Sequence, residues 1–304
     1  SARALRFRGP DDNGQEIFIL GAATIALGHT RLSIIDLTFG GHQPMHSADG
    51  LVSIVFNGEI YNYRELRSEL KLLGHRFASD SDTEVLLTAW RQWGQDVLTR
   101  LVGMFAFVVF DRGQGTITCV RDAFGIKPFF YALEQGNFLF ASEIPAIKEL
   151  KRNKAELDWQ RAYDYLVHGD YDSGPRTFLD GIFHLEPGHV LELDIASGRL
   201  AKPALWWQPQ IAERRDLGFA EAAEQLRERF LDSIRLHLRS DVPLGAALSG
   251  GIDSSAVVCA MRHVAPDAAI NTFSYIARGS VVSEEGWVDR VNQHVGAVPH
   301  KVVV

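Results

Sequence analysis

Cysteine is nearly absent: Cys119 and Cys259 are the two in 304 residues. They are too few and too far apart for a disulfide framework or a zinc pattern, and both read as buried packing residues. No stretch is long and apolar enough to span a bilayer. Residues 1–8 lack the apolar centre of a signal peptide, so the expected compartment is the cytoplasm. No run of lysine and arginine stands out and the net charge is -7, which argues against nucleic acid or a membrane surface as partner. Any anion site must therefore be local. His29, His42, His46 and His75 show no metal-ligand spacing and read as structural, and no internal repeat is visible.

What is present is ample apolar material. With 46% hydrophobic and 10% aromatic residues the chain can bury two cores, and its length favours two domains. A turn-rich stretch, Arg8-Gly9-Pro10-Asp11-Asp12-Asn13-Gly14, should be a tight exposed loop. Strands are expected over 17–20, 22–32 and 51–56, the last ending at the turn dipeptide Asn57-Gly58. Leu66, Leu70 and Leu73 predict a helix over 65–73, and a second follows over 83–93, capped by Ser81 or Asp82. Strands return over 104–111, 116–120, 129–133 and 137–141, a helix over 159–168 and a strand over 189–193. Strands, two helices, then strands suggest a layered sheet domain over 1–193. Little periodicity marks 194–217, which reads as a linker or an inter-domain packing segment. Beyond it, a helix over 219–238 with Leu226, Phe230, Ile234 and Leu238 on one stripe precedes strand, helix, strand and helix. That order implies a parallel, doubly wound α/β domain over 218–304, whose ligands sit at the carboxyl ends of strands.

One loop in that second domain carries chemistry. Leu248-Ser249-Gly250-Gly251-Ile252-Asp253-Ser254-Ser255 lies between an apolar run and a helical pattern with Val257, Met261 and Val264 on one face. Paired glycines let the backbone approach a ligand, the following helix start offers unpaired N–H groups to an anion, and three serine hydroxyls add donors. Asp253 suits a helix cap or a magnesium ligand equally well. The bland alternative, a Gly-Gly turn with a polar cap, fits the spacing alone just as well. No Gly-Lys-Ser/Thr follows, which excludes a Walker A loop.

The octet resembles the SGGxDS pyrophosphate loop of the ATP pyrophosphatases, which adenylate a substrate with ATP. Five segments of the first domain resemble class II, N-terminal-nucleophile glutamine amidotransferases: RGPDDNG (8–14), GHTRLSIIDL (28–37), FNGEIYNYREL (56–66), SDSDTEV (79–85) and VRDAFGIKP (120–128). In this order, with the loop behind them, they resemble the glutamine-dependent asparagine synthetase family over nearly the whole chain. Singly, Arg31 reads as a surface cation, Asp82 as a helix cap and Asn57-Gly58 as a hairpin turn; together the resemblance outweighs those readings.

The resemblance implies an αββα glutaminase fold of the Ntn-hydrolase type and an ATP-pyrophosphatase domain. It implies glutamine, aspartate and ATP with Mg2+ as substrates and cofactors, a β-aspartyl-AMP intermediate and channelled ammonia, and it leaves a homodimer open. Arg31 would pair bidentately with the glutamine α-carboxylate and Asp82 would hold the α-ammonium. Asn57 and the Gly58 N–H would form the oxyanion hole, with Glu59 in the same pocket. Leu248, Ser249, Gly250, Gly251, Asp253, Ser254 and Ser255 would line the nucleotide site. Tyr275 stands where the family often has an aliphatic residue against adenine, and would stack. The family nucleophile is a cysteine at the mature N-terminus, well upstream of the RGPDD loop, whereas Ser1 opens these residues and the second domain ends at Val304. The expectation is an internal fragment that releases no glutamate by itself. Two alternatives stay open: a relative that adenylates another carboxylate, such as an amidating enzyme or lactam-forming cyclase, and a non-catalytic glutamine- or nucleotide-binding regulator.

Overall fold

The computed structural model of the chain describes residues 2–171, 173–214, 216–280 and 283–303. It divides into two compact units, Ser1–Gln210 and Ile211–Val304.

In the first unit a hairpin of β1 (Asp12–Leu20) and β2 (Ala23–Arg31) leads to β3 (Met45–His46), β4 (Val52–Ile60), α1 (Tyr63–Leu72) and α2 (Asp82–Trp93). Then come β5 (Gly103–Asp111), β6 (Thr116–Arg121), β7 (Phe130–Glu134), β8 (Asn137–Ala141), α3 (Ile144–Leu150) and α4 (Trp159–His168). Four short strands close it: β9 (Phe183–His184), β10 (His189–Asp194), β11 (Arg199–Leu200) and β12 (Ala204–Leu205). The main antiparallel sheet has the order β11-β10-β6-β5-β4-β3, with β12 also on β10, while β8-β7-β9 and β1-β2 form separate sheets.

Two-residue periodicity explains the layering. Ile54 and Phe56 of β4 and Phe105, Phe107 and Val109 of β5 pack with Leu66, Leu70, Leu86 and Trp90 of α1 and α2. Their alternates Val55, Ala106, Val108 and Phe110 pack with Phe18, Ile25 and Leu27 of the hairpin and with Phe129 and Tyr131. A strand buried on both faces reads as a continuous apolar run, as β4 and β5 do. Each fully buried Leu or Phe contributes about 1.5–3 kcal/mol. Behind β7 and β8, α3 adds Ala146 and Ile147 against Ala132 and Ala141. The layers run helix, sheet, sheet, helix, as the αββα expectation has it.

The second unit contains α5 (Phe219–His237), β13 (Gly245–Ala247), α6 (Ile252–Val264), β14 (Asn271–Ile276), α7 (Glu285–Val295) and β15 (Val298–Val303). Its strands are parallel in the order β13-β14-β15. One core joins Leu231 and Ile234 of α5, Val258 and Met261 of α6, Ile276 of β14, and Val288 and Val295 of α7. Alternation along β14 buries Thr272, Ser274 and Ile276 and exposes Phe273 and Tyr275. Among the described residues the helices cover one face of this parallel sheet. No helix among them is long and apolar enough to cross a membrane.

Several local expectations are corrected. Asp12, Asn13 and Gly14 are not loop but the start of β1, paired with Arg31, Thr30 and His29. Asn57-Gly58 is not a turn: β4 runs through it, with Asn57 opposite Ala106 and Gly58 opposite Phe105. Residues 194–205 are not linker, because β11 and β12 pair with β10 and Trp206 Nε1 donates to the Arg121 carbonyl at 3.1 Å. Leu73 and Leu226 lie exposed, off their expected stripes, and Tyr63 and Leu231 take the buried positions. The strand expected to be buried before the glycine loop is short, with Gly245 and Ala247 exposed.

Candidate functional site

Arg31 ends β2 and is buried beneath the turn that follows it. Its Nη1 donates to the Thr38 carbonyl at 2.7 Å, and its Nη2 donates to the carbonyls of Ile35 at 3.1 Å and of Asp36. Three carbonyls thus fix the plane of a group that has five N–H donors. Gly41 closes against it: a Cβ there would stand 1.8 Å from Nη2. Glycine is required at this position by contact, not by turn geometry.

Asp82 stands in the first turn of α2. Ser81 is the N-cap, its hydroxyl accepting from the Thr83 N–H at 3.1 Å, so Asp82 is relieved of that role and instead accepts from the Ile60 N–H at 3.0 Å. Burial pushes its carboxyl up to about 7, Glu59's charge adds to the rise, and the main-chain donors at Ile60 and Thr83 oppose it. Asn57, Gly58 and Glu59 lie on β4, held there because a Cβ at Gly58 would meet the Met104 carbonyl oxygen at 2.2 Å. Asn57 Nδ2 donates to Ser142 Oγ at 3.5 Å.

Arg31, Asn57, Gly58, Glu59 and Asp82 all line one cleft of about 1310 Å³. One wall is β2 and another is β8, and neither strand has a partner on its second edge among the described residues. The floor is apolar, with Val55, Ala106, Val108 and Phe129. Chemically, the polar end offers a fixed guanidinium, two carboxylates and an amide, a set suited to a small zwitterion carrying a carbonyl. Neither cysteine lines the cleft. Cys119 is fully buried in β6, where desolvation pushes its thiol up, and Ser1 lies outside the described residues.

In the second unit, the octet spans the strand-to-helix turn between β13 and α6. Gly250 has φ +95 and a Cβ there would come within 3.1 Å of Glu284, a conformation and contact that favour glycine. Gly251 is the N-cap of α6, so Asp253 does not cap the helix; it is exposed in the first turn. Ser254 Oγ donates to the Gly251 carbonyl at 3.2 Å, and Ser249 Oγ accepts from the Gly251 N–H at 3.2 Å. The Ser255 N–H donates to the Gly251 carbonyl at 3.0 Å as part of the helix. The Leu248 side chain is in the core, so its main chain alone faces the loop. Tyr275 is 67% exposed on the open face of β14.

Residues 1–207 match the family described as glutamine amidotransferase domain. The chain belongs to the glutamine amidotransferase family. Residues 225–304 match a second family, described as asparagine synthase. The chain is 33% identical over 313 residues to glutamine-hydrolyzing asparagine synthetase 3 of Bacillus subtilis, covering 98% of this chain and 49% of that protein. It is 36% identical over 271 residues to synthetase 1 of the same organism, covering 88% and 40%. The chain spans about half the length of the curated relatives it matches. Among solved structures, glutamine phosphoribosylpyrophosphate amidotransferase from B. subtilis superposes with a TM-score of 0.50 over 99% of this chain and 77% of that one, at 15% identity. That likeness concerns the fold.

Around the cleft, sequence reasoning missed residues that act by support. Asp122 is buried, and its carboxylate accepts from the main-chain N–H groups of Phe105 (3.2 Å), Phe124 (3.0 Å), Ile126 (2.9 Å) and Lys127 (2.9 Å). Arg121 grips the same loop through the carbonyls of Gly125 (2.7 Å) and Lys127 (2.9 Å). Together they present Lys127 to the cleft, where burial holds its ammonium below the usual range against the pull of Glu59. Gln43 accepts from the Phe56 N–H at 2.6 Å and donates to Thr83 Oγ1 at 3.3 Å, tying β4 to α2. His29 also lines the cleft; burial pushes its imidazole down to about 4, and Nε2 lies 3.0 Å from the Phe56 carbonyl. The VRDAFGIKP segment was the available signal for Asp122 and Lys127, but its roles depend on contacts that sequence does not display.

Proposed function

We propose that the protein to which these residues belong makes asparagine from aspartate, with glutamine as nitrogen donor and ATP as the activating nucleotide. The observation that carries the reading is the convergence of Arg31, Asn57, Gly58, Glu59 and Asp82, from three separate segments, on one cleft. Residues 1–193 then act as the glutaminase domain and 218–304 as part of an ATP-pyrophosphatase-like synthetase domain.

In the cleft, Arg31 takes the glutamine α-carboxylate and Asp82 the α-ammonium, whose charge answers a buried carboxylate. Asn57 Nδ2 and the Gly58 N–H point donors at the amide oxygen, where negative charge develops on nucleophilic attack. The thiol that attacks is expected from a mature N-terminal cysteine with its own amine as base; neither Cys119 nor Cys259 fills that place. Ammonia released there serves the second unit. In that unit the Gly250-Gly251 turn and the N-terminus of α6 receive the nucleotide phosphates. A magnesium ion bound through phosphates needs one or two carboxylates beside it, and exposed Asp253 fits that need. Magnesium would neutralise phosphate charge as the aspartate β-carboxylate displaces pyrophosphate. Tyr275 offers a ring to the adenine.

The test is product analysis with the full-length protein, aspartate, ATP, Mg2+ and glutamine. Asparagine, glutamate and AMP are expected, and ATP–pyrophosphate exchange should depend on aspartate. ADP in place of AMP, or exchange driven by a different carboxylate, would overturn the assignment.

A further inference from the structure

Asp36 lies in the GHTRLSIIDL segment, five residues after Arg31, with no binding role assigned to it, yet the geometry places it between the two halves of the amino-acid site. It is 6% exposed and has φ +57, a left-handed conformation that Asp and Asn tolerate better than other residues with a Cβ. That turn aims the Asp36 carbonyl back at Arg31 Nη2. The carboxylate works outward. Its Oδ1 accepts from the Thr38 N–H at 3.0 Å and from Thr38 Oγ1 at 2.5 Å, which sets the Thr38 carbonyl 2.7 Å from Arg31 Nη1. Its Oδ2 accepts from the Asp80 N–H at 3.0 Å, two residues before Asp82.

The segment so gripped is itself rigid. Glu84 accepts from the N–H groups of Ala78 and Ser79, each at 2.8 Å, and Arg67 Nη2 donates to the Ser79 carbonyl at 2.8 Å. Gly40 passes close by: a Cβ there would stand 2.8 Å from Asp36 Oδ2. Burial works to raise the Asp36 carboxyl, but the Thr38 and Asp80 donors and the Arg31 charge outweigh it and hold it below the usual range.

We propose that Asp36 is a positioning residue that fixes the separation between Arg31 and Asp82, and so the selectivity of the cleft for an intact α-amino acid. The proposal rests on the assignment of Arg31 and Asp82 to the α-carboxylate and α-ammonium of glutamine. Two variants of the full-length protein separate its parts. Asp36→Gly keeps the left-handed turn accessible and removes the three side-chain acceptor contacts. Asp36→Asn keeps the turn and one carbonyl acceptor, but turns a donor toward the Asp80 N–H.

With Asp36→Gly the KM for glutamine should rise about tenfold with kcat within about twofold, the signature of lost uniform binding. Preference for glutamine over 4-aminobutanamide, which lacks the α-carboxylate, should fall by about the same factor, and Asp36→Asn should lie between wild type and Asp36→Gly. Loss of kcat for both substrates with the preference intact would mean a merely structural role and would overturn the proposal. If Asp36→Gly does not fold, an unchanged preference in folded Asp36→Asn has the same force. Arg31→Lys is the control for the underlying assignment. If it leaves the preference unchanged, that assignment fails; if it lowers the preference and the Asp36 variants do not, the positioning role alone fails.

Discussion

Asp82 shows how a single buried charge links stability to substrate. Its carboxyl is held up to about 7, from an ordinary value of 3.8, first by burial and then by Glu59. An acid whose folded pKa is raised contributes stability that is fully present below the unfolded value, near 4, and is lost as pH rises through about 7. That rise corresponds to roughly 4 kcal/mol for ionising the group in place. Asp82→Asn should therefore raise the melting temperature at pH 8 and leave it nearly unchanged at pH 4, as followed by calorimetry. Equal shifts at the two pH values would show that the carboxylate's ionisation is not the cause. The same buried charge is what a substrate ammonium would neutralise, so the residue that costs stability without ligand is the one suited to bind it.

At the scale of elements, β4 carries three of the five residues proposed to bind glutamine, and its register on β5 depends on Gly58. An added methyl would meet the Met104 carbonyl oxygen at 2.2 Å and the Phe105 Cα at 2.7 Å, atoms of the paired backbone that cannot turn aside. Gly58→Ala should cost about 1–3 kcal/mol, the usual cost of overpacking a tight core. Gly286→Ala, inside α7 with nothing within 4 Å of the new methyl, should stabilise by up to about 1 kcal/mol through helix propensity. Denaturant midpoints check both signs. The pair also shows what could be read in advance. Helices α1, α2, α4, α6 and α7 were legible because their apolar period is local. Asn57-Gly58 was misread because turn propensity is local too, whereas the pairing of β4 with β5 joins residues about fifty apart and overrides it. Residues 199–205 were misread for the same reason: short, weakly patterned strands become strands by finding β10. Arg31, Asn57 and Asp82 could be named from motifs, but the carbonyl cage around Arg31 and the link from Asp36 to Asp80 exist in the fold alone.

At the scale of the molecule, each unit has its own core: the clusters around Phe107, Val108 and Ile147 belong to the first, and the cluster around Val258 to the second. The first unit runs to Gln210, and β12, just before that point, pairs with its main sheet. Separate cores let a change in one unit leave the other's chemistry standing, which makes the two proposed activities separable by mutation. Arg31→Lys keeps a positive charge but loses the planar fork that meets three carbonyls and that, on the proposed reading, would meet the substrate carboxylate as well. Charge-assisted hydrogen bonds of this kind contribute about 1.5–3 kcal/mol, so the KM for glutamine should rise by about ten- to a hundredfold. Ammonia supplied directly bypasses the cleft, and asparagine formation from ammonia, aspartate and ATP in the full-length protein should stay within about twofold of wild type. Both rates are read in one coupled assay for AMP, with the melting temperature as a check on folding. A parallel fall in glutamine- and ammonia-dependent synthesis would mean that Arg31 supports the fold and does not recognise the α-carboxylate. A selective fall would place glutamine recognition in the first unit and activation of the acceptor outside it.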